Sequence, residues 1–247
     1  MLACLTLAAL TALTAACSSP PPPGPQPPEG LTEAELEAAE TLALDVRGLS
    51  LERAEALIAA AEAHAAAPGD VDAAIWHGRQ LAYVERFDES IRVYSAAIDD
   101  LEARVGRLGL ADEATPRVLA DAGLHRLLRH RGHRFITTRR FDLALVDLAR
   151  AARLAELVPD RVERDGLPNA AGIPRSTSHT NIHYHLGLAS LLLGRIADAR
   201  DAWRTCLELA PNDDMRVAAA WWLHCCELRM GDPDAAAAVL APISRRM

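Results

Sequence analysis

The chain has 247 residues, of which half are apolar but only 4% are aromatic, and its formal net charge is −8. Alanine-rich, aromatic-poor sequence favours packed helices over strands, which prefer β-branched and aromatic residues. The acidic balance argues against general nucleic-acid binding, which requires an excess of Lys and Arg. The sequence contains no nucleophile motif, no phosphate-binding loop and no pair of carboxylates on one helix face, so it predicts no enzymatic activity and no cofactor.

The N-terminal residues 1–17 predict an export signal. Residues 2–13 are apolar and uncharged but too short to span a bilayer, which needs roughly 20 residues. The following LTAAC, residues 13–17, resembles the lipobox of bacterial lipoproteins, in which the cysteine is lipidated and becomes the new N-terminus. Thr14 departs from that pattern, and no Lys or Arg precedes the apolar segment. An ordinary signal peptide with an incidental Cys17 is therefore the alternative.

Residues 18–30 predict a tether between the signal and a folded domain. Seven of the nine residues from Pro20 to Pro28 are proline, and such a segment forms extended polyproline II rather than helix. At about 3.1 Å per residue it would hold the domain roughly 30 Å from a membrane. The resemblance to lipoproteins implies that Ser18, directly after the cysteine, permits transfer to the outer membrane. We therefore expect a lipid anchor at Cys17 in the outer membrane, with the domain facing the periplasm.

From residue 31 onward the sequence predicts helices in pairs. Three segments share the same spacing: a glycine, a large apolar residue nine positions later, and small residues twelve and nineteen positions after the glycine. The glycines are Gly78, Gly132 and Gly187, and the large residues are Phe87, Phe141 and Ile196. Repetition at fixed spacing indicates a repeat architecture. The glycine would let the first helix of each pair lie close to its neighbour, and the small residues would keep the contact face of the second helix free of bulk.

These residues resemble the tetratricopeptide repeat, a helix-turn-helix unit of about 34 residues. The third copy is the best match, through Leu186, Gly187, Gly194, Ala199, Trp203 and Pro211. The resemblance covers residues 31–247 and implies an all-α, right-handed α-solenoid. Repeats are expected near residues 38–71, 72–106, 125–158, 181–214 and 217–247. A long loop is expected at residues 159–180, and loops of this length inside compact domains are often functional.

The resemblance also implies where a partner would bind. In tetratricopeptide arrays the first helix of each pair lines a concave groove, and residues one turn either side of the packing glycine face it. The predicted groove residues are Arg79, Arg126, Arg129, His133, Asn181, Tyr184, Trp221 and Arg229. The basic members would suit a peptide C-terminus or an acidic segment, because arginine binds carboxylates through two parallel hydrogen bonds. The alternative is that these arginines are solvated or paired with Asp and Glu of neighbouring helices.

The histidines support a competing interpretation. His179 and His183 are four residues apart, so on a helix they would share a face, as metal ligands can. No Asp, Glu or Cys stands at a recognisable companion spacing, and filling a packing position is the simpler role for His183. The favoured interpretation is a non-enzymatic, lipid-anchored adaptor for a protein partner, with neither metal nor cofactor. The alternative is a metal-binding or hydrolytic protein that uses His133, His179 and His183 beside the 159–180 loop.

Overall fold

The computed structural model describes residues 51–163, 172 and 176–243, and 76% of them lie in helices. The predicted signal peptide with Cys17, the proline-rich tether and the interior of the 159–180 loop apart from Gly172 lie outside the described residues. In chain order the described helices are α1 Leu51–Ala66, α2 Val71–Tyr83, α3 Phe87–Gly106, α4 Thr115–Asp121, α5 Leu124–Thr137, α6 Phe141–Ala155, α7 Ser178–Leu192, α8 Ile196–Glu208, α9 Asp213–Arg229 and α10 Pro233–Leu240. None of these described helices has the length and apolar character needed to cross a bilayer.

Polar side chains define where several helices begin. The Asp70 carboxylate accepts a hydrogen bond from the Asp72 backbone N–H at the start of α2, and Asn212 accepts one from Met215 at the start of α9. At α7 the side chains of Thr177 and Thr180 each accept a hydrogen bond from the other residue's backbone N–H. These bonds satisfy donors that the first helical turn leaves unpaired, so each helix has a defined first residue.

Three hairpin turns have the same left-handed backbone conformation. Seven positions after the packing glycine, φ is 63° at Glu85, 60° at Arg139 and 75° at Gly194. Glycine enters this region without steric cost, whereas other residues carry about 1–2 kcal/mol of strain. The third copy therefore has the residue type best suited to the turn, and the first two copies keep the same geometry at a cost.

The packing glycines lie against the second helix of their own pair. The residue they contact stands sixteen positions later in every copy: Tyr94, Leu148 and Trp203. A Cβ atom built on Gly187 would lie 2.6 Å from the Trp203 ring, and those on Gly78 and Gly132 would lie 2.3 Å and 2.8 Å from their partners. The small residues predicted to permit this approach are all buried: Ser90, Ala97, Ala144, Ala151, Ala199 and Cys206. The close approach predicted from the spacing is therefore present in all three copies.

Successive helix pairs pack side by side into an all-α solenoid, as the spacing predicts. Helices α2 and α3, α5 and α6, α7 and α8, and α9 and α10 form the pairs. The main apolar core runs from Ile75 and Tyr94 through Leu127 to Ile182, and a second cluster surrounds Trp203. Helix α5 contacts both α2 and α7. The first helices of three pairs are thus neighbours, and their common face carries the candidate site.

The first gap between the copies is filled by helix rather than by an extended loop. Helix α3 continues to Gly106, and the short helix α4 packs on α3, α5 and α6. Gly123, with a φ of 91°, separates α4 from α5. Glycine adopts this left-handed conformation without strain.

Candidate functional site

Helices α2, α5 and α7 line two adjoining cavities. We call the smaller one, of about 230 Å³, the histidine cavity, and the larger one, of about 530 Å³, the neck cavity. Both are lined by Arg79, His130 and Glu163. The histidine cavity is also lined by Ala82, Tyr83, Tyr94, Arg129, His133, Arg134, Ser176, Asn181 and His185. The neck cavity is also lined by Asp72, Ile75, Arg126, Arg161, Val162 and Ser178.

The two ends of the 159–180 loop form one wall of both cavities. An antiparallel bridge between Val162 and Thr177 holds the ends together, and the Ser178 N–H donates to the Arg161 carbonyl at 2.8 Å. This places the Glu163 carboxylate against α5, where it accepts a hydrogen bond from Arg129 Nη2 at 3.0 Å. The described ends of the long loop predicted at residues 159–180 are therefore part of the site.

Arg129 is the most deeply buried charged residue that lines either cavity. Its side chain is 10% exposed and that of its partner Glu163 is 13% exposed. Arg129 Nη1 also lies 2.9 Å from His130 Nδ1, whereas its Nε has no hydrogen-bond partner among the described residues. A buried guanidinium with one carboxylate and a remaining donor retains the capacity to bind a further acceptor.

Two of the arginines predicted to bind a partner form ion pairs with carboxylates of this same chain. Arg126 pairs with Asp72 of α2 at 2.5 Å, and Arg129 pairs with Glu163. Arg79 donates to the Tyr83 hydroxyl at 2.7 Å and lies over the Trp76 ring. The positive charge predicted for the groove is thus present, but part of it is compensated, as the alternative interpretation allowed.

The sequence interpretation did not include His130, Arg134 and His185 among the groove residues, although all three line the histidine cavity. Arg134 has no carboxylate partner among the described residues, and its guanidinium carbon lies 5.8 Å from the centre of the Phe87 ring. Burial lowers the pKa of Arg134, and the charges of Arg129 and Arg79 lower it further. His130 and Arg134 are four residues apart and so share a face of α5. This spacing could have indicated that more of α5 lines the cavity than the predicted residues cover.

The imidazoles of the histidine cavity are neutral at neutral pH. The ring centres of His133 and His185 are 4.2 Å apart, and His185 Nδ1 lies 2.7 Å from the Asn181 carbonyl oxygen. Burial is the main cause that lowers the pKa of His130, His133 and His185, and that of His185 falls to about 3. Nearby arginine charges lower all three pKa values further. The charge of this cavity therefore comes from its arginines and Glu163.

The structure places three of the predicted groove residues away from both cavities. Asn181 lines the histidine cavity, but Tyr184 accepts a hydrogen bond from Trp222 Nε1 at 2.9 Å and packs against Trp203. Tyr184 differs from the lining His185 by one position, which turns a helical side chain by about 100°. Trp221 and Arg229 are exposed on α9, a helix that does not contribute to either cavity. The structure therefore does not bring these three residues to the two cavities.

His179 and His183 also lie outside both cavities. They are on α7, and the carboxylates whose charges act on the half-buried His183 are Glu156 and Asp160. Within the described ranges, no group of three His, Cys, Asp or Glu side chains is arranged to hold a metal ion. His133 contacts His185 instead, so the three histidines of the competing interpretation do not form one group there.

A comparison of this chain with models of known protein families agrees with the repeat geometry. The tetratricopeptide-repeat model matches residues 180–213, which hold the third packing glycine and Trp203. Residues 180–213 are therefore a tetratricopeptide repeat. No curated protein matches the chain in sequence.

Solved structures with the same fold include several of MamA. One MamA structure is 13% identical over 84% of this chain and 86% of its own, with a TM-score of 0.51. Another is 13% identical over 74% and 81%, with a TM-score of 0.50. MamA from Desulfovibrio magneticus RS-1, from residue 41 to its end, is 15% identical over 86% and 94%, also with a TM-score of 0.50. At these identities the likeness shows the fold alone, and it confirms the predicted fold class.

Proposed function

We propose that this chain is a non-enzymatic scaffold that binds an acidic or carboxylate-terminated segment of a partner protein. The fold supports a role in protein–protein interaction. The observation that carries the proposal is the concentration of arginine on one concave face of a chain whose net charge is −8: Arg79, Arg126, Arg129 and Arg134. Guanidinium groups bind carboxylates through paired hydrogen bonds, so an acidic segment is the complementary ligand.

The internal ion pairs support this chemistry. Asp72 and Glu163 already place carboxylates against Arg126 and Arg129. The Asp72 side chain is 73% exposed, and exposed ion pairs are worth only about 0–1 kcal/mol. A carboxylate of the partner could therefore replace Asp72 at Arg126 with little loss. Glu163 is largely buried, so the same exchange at Arg129 would cost more.

Replacing both Arg79 and Arg126 with glutamine is expected to weaken binding of an acidic segment at least tenfold. The probe is a short fluorescent peptide of alanine and glutamate with a free C-terminus, followed by anisotropy. Binding should also weaken as salt rises, because salt screens charge but not apolar contact. We leave Arg129 in place because its removal would strand the buried Glu163 carboxylate and destabilise the fold.

Two further variants sharpen this test. The double change Arg117→Gln and Arg195→Gln removes the same charge from exposed pairs with Asp121 and Asp198, and it should leave peptide affinity unchanged. Asp72→Asn removes the competing carboxylate from Arg126 and should strengthen binding several-fold. Equal affinities for the two double variants, or affinity that does not depend on salt, would place the partner site elsewhere.

We further propose that Cys17 carries a lipid that anchors the protein in the outer membrane. The proposal rests on LTAAC at residues 13–17 and on the proline-rich segment that follows. In a bacterial host the intact protein should sediment with membranes and incorporate a labelled fatty acid. Cys17→Ala should abolish the label and release the protein into the soluble periplasmic fraction. Recovery of the unsubstituted protein in that soluble fraction would contradict the proposal.

A further inference from the structure

Helix α9 has apolar side chains on two opposite faces. Ala219 and Leu223 are buried where the helix packs against α8. On the other side, Val217, Trp221 and Leu228 are 41%, 55% and 50% exposed. At 3.6 residues per turn these three positions fall within about 40° of one another around the helix axis. A surface helix normally carries polar residues on its outer face, so α9 has a second apolar stripe, and we call Val217, Trp221 and Leu228 the outer stripe.

The outer stripe has the composition of an interface rather than of a surface that faces water. Trp221 is the most exposed of the four tryptophans, and its ring is stacked on that of His224. Tryptophan is enriched at the centres of protein interfaces, where burial of its ring contributes much of the affinity. An exposed apolar stripe bordered by polar residues is typical of a docking surface.

Charges of opposite sign lie at the two ends of the outer stripe. Asp213 and Asp214 are in the first turn of α9, and Arg229 is its last residue. All three are exposed. Trp221 stands midway, eight residues from Asp213 and eight from Arg229. A second copy of α9 laid antiparallel on the stripe would therefore bring Arg229 of each copy to the acidic turn of the other.

The angular positions of these charges agree with that arrangement. Around the helix axis, Asp214 and Arg229 lie on the same side of Trp221, at about 20° and about 80° from it. A two-fold axis that passes beside Trp221 reverses the helix direction but keeps each residue on its own side of the stripe. Asp214 of one copy and Arg229 of the other would therefore meet on one side, and Val217 and Leu228 on the other side.

We propose that the outer stripe joins two copies of this chain in an antiparallel pair, with Trp221 of each copy at the centre. A two-fold interface uses the same patch on both copies, so the patch must be complementary to itself. The apolar centre and the oppositely charged ends of α9 meet this requirement. The dimer does not depend on the acidic segment proposed as the ligand of the cavities.

Sedimentation velocity of the full chain measures the association. The stripe extends over about 24 Å, at 1.5 Å per residue, so the interface is small and we expect a reversible dimer. The fraction of dimer should rise as the concentration is raised from roughly 1 µM to roughly 300 µM. Trp221→Lys should weaken dimerisation at least tenfold. As a matched control, Val146→Lys replaces a 66% exposed apolar residue of α6 and should leave dimerisation unchanged.

Two charge variants test the antiparallel orientation. Asp214→Arg and Arg229→Glu should each weaken dimerisation several-fold, because each change places like charges beside one another at both ends of the interface. An equal mixture of the two variants should recover the dimer, because each contact between unlike chains then joins opposite charges. Both changes in one chain should likewise restore dimerisation.

The dimer and the peptide site can fail separately. Helix α9 does not contribute to either cavity, so Trp221→Lys should bind the alanine–glutamate peptide with unchanged affinity. A monomer at every concentration, or a dimer that Trp221→Lys does not weaken, would overturn the proposal. A mixture of the charge variants that associates no more strongly than each variant alone would overturn it as well. If Trp221→Lys does not fold, the charge variants decide.

Discussion

Replacing Gly187 with leucine should lower the free energy of unfolding by about 3 kcal/mol or more. A Cβ atom at this position would lie 2.6 Å from the Trp203 ring, and Trp203 is completely buried. The indole is stacked on Trp222, with ring centres 5.3 Å apart, so a shift of the indole would also displace that neighbour. Overpacking of a rigid core typically costs about 1–3 kcal/mol and sometimes more. Urea unfolding followed by circular dichroism would measure the change.

Gly106→Ala is a matched control for this prediction. Gly106 ends α3, and no described atom lies within 4 Å of the Cβ it would gain, so we expect a change of no more than about 0.5 kcal/mol. Combining Gly187→Leu with Trp203→Leu should recover part of the loss, because a leucine at position 203 is smaller than the indole and leaves room for the added side chain. An unchanged urea midpoint for Gly187→Leu would show that the copies are wrongly aligned.

Acidification from about pH 7 to about pH 5 should destabilise the protein by several kcal/mol. Six histidines in the described residues have lowered pKa values, and burial is the largest cause in each: His77, His125, His130, His133, His183 and His185. An unfolded histidine binds a proton near pH 6.5, whereas in the folded protein the pKa of His125 is about 4 and that of His185 is about 3.

The sign of the pH effect follows from which state binds more protons. Below about pH 6.5 the unfolded chain takes up protons that the folded protein excludes, so stability falls as the pH falls towards the folded pKa values. A histidine whose folded pKa lies well below this range, such as His125 or His185, contributes about 1.4 kcal/mol per pH unit between about pH 6 and pH 5. Most carboxylates remain ionised above pH 5, so their titration adds little.

Urea unfolding of the protein at several pH values would measure this slope. Changing His185 to asparagine should reduce the slope by about 1.4 kcal/mol per pH unit, and adding His125→Asn should remove about the same amount again. These two residues lie on different helices, so their contributions should be nearly additive. A free energy of unfolding that is constant between about pH 7 and pH 5 would contradict the assignment of neutral, buried imidazoles.

The helix pairs and their register were predictable because they depend on local, periodic features. The spacing from Gly187 to Ala199 and Cys206 already placed the small residues on one face of a second helix. The same spacing from Gly78 and Gly132 made the pattern specific, and the structure has the expected glycine contacts in every copy. Part of the site followed from the same geometry, since Arg79, Arg129, His133 and Asn181 lie together in one cavity.

The partners of the charged groups could not be predicted, because they are distant in sequence. Arg126 and Asp72 form an ion pair between two neighbouring helix pairs. Arg129 and Glu163 form an ion pair only because the two ends of the 159–180 loop are bridged beside α7. Repeat periodicity contains no information on the path of a loop that the repeat does not include. The position of Glu163, and with it the charge balance of the histidine cavity, was therefore decided by the tertiary structure.

The sequence pattern also could not predict the exact rotation of each helix about its own axis. Tyr184 and His185 are neighbours, yet one packs into the core around Trp203 and the other lines the cavity. A shift of one residue turns a helical side chain by about 100°, and a glycine spacing defines the packing face only within about that angle. Contacts with α5 on one side and α8 on the other determine which of the two faces the ligand site, and those contacts exist only when the helix pairs are stacked.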